Sequence, residues 1–89
     1  MTPLTRIRTS LLSAILPGDP LGGLEGHIAD VEVDVATRDE AEYRRSRDML
    51  LGYLNCLVVL GVVDYGDRTD LIDDFDNKWK EAKKCTENT

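Results

Sequence analysis

Six aspartates fall within the first thirteen positions of "DYGDRTDLIDDFDNKWK", residues 64–80, after which the chain turns basic. Oxygen-rich spacing of this kind could serve a metal loop, a surface that imitates nucleic acid, or the solvated side of a helix. An EF-hand needs oxygen ligands at alternating positions, glycine at the sixth and glutamate at the twelfth. Counted from Asp64, the sixth residue is Thr69 and the twelfth is Phe75. The pattern fails, and no metal site is expected.

Other chemistry is sparse. His27, the single histidine, adjoins Gly26, and no cysteine or serine stands at a spacing that implies a nucleophilic triad. Cys56 lies in the apolar run "LLGYLNCLVVLGVV" and Cys85 in the polar "KKCTENT". They form neither a C-x-x-C pair nor a Cys/His cluster, which argues against zinc. Cys56 is expected to be a small buried hydrophobe and Cys85 an exposed thiol. "PLGGLEG" carries glycines without a P-loop lysine or a strand–turn–helix setting. Carboxylates on exposed helix faces rarely acquire the shifted pKa that proton transfer demands. The expectation is a protein that is not an enzyme and uses no cofactor.

Charge points instead to binding. The 89 residues carry 11 Lys plus Arg against 17 Asp plus Glu, a formal charge of -6. Such a chain repels phosphate backbones and favours basic partners. Eight acidic residues and one arginine lie between positions 19 and 42. The candidate contacts are Asp30, Glu32 and Asp34 in that region, with Asp67, Asp70, Asp73 and Asp74 further on. If the two groups share one side, they form a continuous negative surface that steers toward basic grooves. Solubility alone is the plainer account of both. A third cluster, Arg44, Arg45 and Arg47 in "YRRSRD", could pair with Glu40 and Asp48 or contact an acidic partner.

Four helical segments must position these groups, at about 3–16, 20–36, 38–60 and 65–84, followed by a polar tail at 85–89. In the first, Thr2 caps, Pro3 takes the first helical position, and Leu4, Ile7, Leu11, Leu12 and Ile15 recur at helical spacing. The second is ambiguous. Val31, Val33 and Val35 alternate with acids as in a half-buried strand, yet Leu24, Ile28, Val31 and Val35 fit one helix face. Nothing else reads as a strand, so helix is preferred. Thr37 with Glu40 suggests a capping box for the third, which ends at Gly61 and is apolar enough to be surrounded by the others. In the fourth, Asp64 is the expected cap. Tyr65, Arg68, Ile72, Phe75, Trp79 and Ala82 then share one side, with Asp67, Asp70, Asp73 and Asp74 opposite. The fold expected is all-α, a single small bundle of about four helices.

No apolar stretch is long enough to span a bilayer, and the N-terminus has no signal-peptide pattern, so a cytoplasmic protein is expected. The run "RRSRDMLLGYLNCLVVLGVVDYGDRTDLIDDFDNKWKEA", with its turn "LGVVDYGD" at 60–67, resembles the small helical accessory proteins of phages and mobile elements. Some of these resemble anti-CRISPR proteins. The resemblance covers about the C-terminal half and implies a non-enzymatic inhibitor of a host defence complex, acting in the host cytoplasm. The implied partner is a host protein or ribonucleoprotein with a basic surface, without direct nucleic-acid contact and without a membrane. A homodimer is compatible with this reading, and a self-associating helical structural or regulatory module is the alternative. A small DNA-binding regulator using the arginine cluster is a third reading.

Overall fold

Capping residues set three of the four helix starts. The structure, a computed structural model, describes residues 1–87 and their side-chain surroundings through Cys85. Helix α1 spans Pro3–Ser13, α2 Pro20–Thr37, α3 Glu40–Val59 and α4 Tyr65–Glu87. No strand occurs among the described residues, and the architecture is an all-α bundle. Thr2 Oγ accepts from the Thr5 N–H at 3.2 Å, and Pro3 opens α1 where a missing N–H costs nothing. Asp19 and Pro20 open α2 in the same way, with Asp19 Oδ1 accepting from Gly22 at 3.0 Å.

Segment 31–35 is helical. Leu24, Ile28 and Val31 are buried, while Val33 is 58% exposed. The alternation of valines loses to helical burial because a helix satisfies its own backbone, whereas a strand needs a partner.

Several expected boundaries move. Helix α1 ends at Ser13 and leaves Ile15 beyond it, while Leu12 falls on the outer side of the helix; both, read as part of its apolar face, are exposed. Thr37 is the last residue of α2 and caps nothing. Arg38 takes a left-handed conformation with φ 56°, and Asp39 becomes the cap of α3, accepting from Glu42 N–H at 3.1 Å. Cys85 to Glu87, expected as a tail, continue α4; positions 88 and 89 lie outside the described residues.

Gly61 ends α3 as its position suggests. Its φ is 75°, its N–H donates to Val58 O at 2.9 Å, and Val62 N–H donates to Leu57 O at 3.0 Å. This is a Schellman closure, and Val62 packs back on the core. Replacing Gly61 with Ala should lower stability by about 1 kcal/mol, because a Cβ disfavours positive φ. Urea unfolding measures it; an unchanged midpoint would show that the turn relaxes.

The helices form a diamond in cross-section. Helices α2 and α4 pack on each other and on both remaining helices, whereas the backbones of α1 and α3 make no close approach. Ile7, Leu24, Ile28, Val31, Leu50 and Leu54 fill the centre. This corrects the expectation that α3 is surrounded. With neighbours only at α2 and α4, α3 leaves Cys56, Val59 and Leu60 exposed. On α4, Leu71, Ile72 and Phe75 are buried, while Tyr65, expected inside, is 63% exposed and lies under the Arg68 guanidinium at 4.1 Å. The buried stripe is turned toward Leu71. No described helix is long and apolar enough to cross a membrane.

Candidate protein-binding surface

All seven arginines are engaged within the chain. Arg6 Nε meets Asp67 Oδ1 at 2.7 Å, joining α1 to α4, and its Nη2 lies 3.8 Å from Asp70. Arg8 forks onto Glu25, with Nη2 to Oε2 at 2.8 Å. In the "YRRSRD" cluster, Arg44 pairs with Glu40 at 3.0 Å and Arg45 with Glu42 at 2.6 Å. Arg47 reaches across to Asp76 at 2.7 and 3.0 Å and lies 3.6 Å from Asp48. Arg38 donates to Ala82 O at 3.1 Å, and Arg68 donates to Asn55. Among the described residues Arg38 and Arg68 are held by neutral acceptors and form no ion pair, and neither do Lys78, Lys80, Lys83 and Lys84, all in the second half of α4.

Arg47 and Asp76 belong to the most organised polar group. The Tyr43 hydroxyl donates to Asp76 Oδ1 at 2.7 Å, and the Tyr43 ring stacks on Trp79 with centroids 4.5 Å apart at 4°. Burial pushes the Asp76 carboxyl up. The bonds from Arg47 and Tyr43, with the Arg47 charge, outweigh it and hold the group below its ordinary value. Burial, then the bond to Asp76, raises the Tyr43 hydroxyl. The arrangement is a structural clasp between α3 and α4.

The seven sequence candidates separate. Asp67 is not on a solvated face: its side chain is 16% exposed and held by Arg6. Asp70 is more open but shares that arginine. Asp30, Glu32, Asp34, Asp73 and Asp74 form no ion pair among the described residues. Asp30 and Asp34 line an open groove between α2 and α3, whereas Glu32 lines another with Phe75 and Lys78. None of the four candidate aspartates of α4 borders either groove. The acids of α2 thus front two flanks, and Lys78 of α4 lines the same groove as Glu32.

Sequence reasoning missed the apolar residues beside these acids. Val33 and Met49, 58% and 52% exposed, share the α2–α3 groove with Asp30, Asp34, Glu42 and Arg45. The outward valine of the ambiguous "VEVDV" segment was the available signal.

His27 is partly buried with its ring 5.0 Å from that of Tyr53, whose hydroxyl donates to Pro20 O at 2.5 Å. It holds the start of α2 against α3. Among the described residues, no three His, Cys, Asp or Glu side chains are grouped to hold a metal ion.

Compared with protein-family models, curated proteins and solved structures, the chain matches none.

Proposed function

We propose that this chain is a non-enzymatic binding protein that occupies a basic surface of a host nucleic-acid-handling complex, as an anti-CRISPR-like inhibitor does. The observation that carries the reading is the asymmetry of its charge. Every arginine is spent on an internal partner, while Asp30, Glu32, Asp34, Asp73 and Asp74 remain available. Apart from the four lysines in the second half of α4, the uncompensated charge is carboxylate, and such a surface attracts Lys/Arg-lined nucleic-acid paths and repels nucleic acid itself. The phage or mobile-element origin and the cytoplasmic site of action rest on the resemblance of "LGVVDYGD" and its flanks.

Tagged protein incubated in host lysate should retain one stoichiometric nucleic-acid-handling complex, released as salt rises. Reversing Asp30, Glu32 and Asp34 to Lys, or Asp73 and Asp74 to Lys, should weaken retention at least tenfold in one of the two sets while the helical circular dichroism stays unchanged. Retention unaffected by both sets would dispose of the acidic-surface account. A captured complex that still binds its nucleic acid would dispose of inhibition.

The exposed apolar residues Val59, Leu60 and Tyr65, clustered about the α3–α4 turn, favour a second reading, a self-associating module. A mass that rises with concentration by light scattering, and falls when Leu60 is changed to Lys, would support it.

A further inference from the structure

We infer that the groove between α2 and α3 seats a basic amphipathic helix of the protein partner, an assignment that rests on the binding function proposed above and specifies its contact. Its walls are helical ridges. On α2, Asp30, Val33 and Asp34 stand three and four residues apart, and on α3 Glu42, Arg45, Ser46 and Met49 continue the same spacing. Two packed helices present a furrow into which the ridge of a third can settle.

The chemistry of the furrow selects the occupant. Val33 and Met49 provide an apolar floor at about half exposure, in a helix pair whose other aliphatic side chains of this kind are largely turned inward or lie near helix ends. Around that floor stand three carboxylates and one guanidinium. Arg45 is tied to Glu42 at 2.6 Å, which leaves Asp30 and Asp34 as uncompensated charges on the rim. The volume, about 210 Å³, falls below the roughly 300–1,000 Å³ of small-molecule pockets and suits a protruding side chain. A helix with one aliphatic anchor flanked by Lys or Arg matches both features. Methionine, flexible and polarisable, adapts to such an anchor without a preformed socket. The other grooves lack this combination: that of Glu32 contains Lys78, that of Tyr43 is lined by Arg44 and Arg47 beside their acidic partners and has no aliphatic side chain, and that on the second half of α4 is lined by Lys80, Lys83 and Lys84.

The test uses the full chain and two probes. A synthetic helical peptide of leucine and lysine, with leucines at helical spacing on one face, is titrated into the labelled protein and followed by backbone amide shifts. A peptide of the same composition in scrambled order is the control. Shifts centred on residues 30–34 and 42–49, reduced at least tenfold in affinity by Met49→Lys or by the Asp30→Lys/Asp34→Lys pair, are the expected result. Equal binding of the scrambled peptide, or shifts centred on Asp73 and Asp74, would overturn the groove.

The second probe is capture from host lysate with the same variants. Loss with Met49→Lys but not with Asp73→Lys/Asp74→Lys supports the groove. Loss only with the α4 pair overturns it and leaves the wider binding function standing. Failure of the wild-type chain to capture any complex sinks that wider function, and the peptide titration then decides the groove on its own. Unchanged circular dichroism of each variant separates lost contact from lost fold.

Discussion

Replacing Leu54 with alanine is expected to remove about 3 kcal/mol of stability, within the roughly 2–5 kcal/mol typical of a fully buried leucine. Leu54 has no exposed surface, and it lies in the core that α3 shares with α2 and α4. Truncation loses the transfer free energy of the side chain and leaves a cavity that four interlocked helices close only in part. A domain of this size has roughly 5–10 kcal/mol in total, so the melting temperature should fall on the order of 15 °C. Leu60→Ala provides the comparison within two turns of the same segment. Leu60 is 64% exposed, and its loss should stay within about 0.5 kcal/mol. Equal losses at the two positions in urea titrations would mean that the packing described for α3 is wrong.

The second large effect concerns Asp76. Changing it to alanine leaves Arg47 without its main counter-charge and the Tyr43 hydroxyl without its acceptor. The expected cost is about 1–3 kcal/mol, because the polar groups left behind stay partly desolvated. Asp73→Ala, on the open side of the same helix, should cost under about 0.5 kcal/mol. Acid sensitivity has a definite sign. The folded-state pKa of Asp76 lies below its unfolded value of 3.8, so its contribution is complete above that value and is lost as pH falls through the folded one. Glu25, held low by its bond to Arg8, adds in the same direction, though both partners are about 40% exposed and screening weakens it. Unfolding free energy should therefore drop below about pH 4, and Asp76→Asn should flatten that drop. A variant with the wild-type acid slope would remove Asp76 as its source.

These two residues differ in how visible they were beforehand. Leu54 sits in a helical repeat with Leu50 and Leu57, and its burial follows from that spacing alone. In the sequence Asp76 is one aspartate among six in the run at 64–76. Its role depends on Arg47, 29 positions away. The same holds for Asp67: its spacing puts it among solvated aspartates, but Arg6, 61 positions away, binds it. Cys56 failed in the opposite direction: its apolar neighbours suggested burial, but α3 has only two helices to lean on. Of the proposed contact surface, the acids Asp30 and Asp34 were legible, and the apolar floor of Val33 and Met49 was not.

By itself the sequence determined the all-α class, four helices, most of their starts and stops, and the acidic balance. Those features are local. A cap acts over three residues, a left-handed stop needs one glycine, and a helical face repeats every three or four positions. Only the tertiary structure decided that α2 and α4 form the shared centre while α1 and α3 stay apart, which arginines neutralise which aspartates, and where apolar and acidic side chains meet in one groove. Each of these depends on how separate helices are arranged in space, and no short-range pattern along the chain encodes which flank of one helix faces which flank of another.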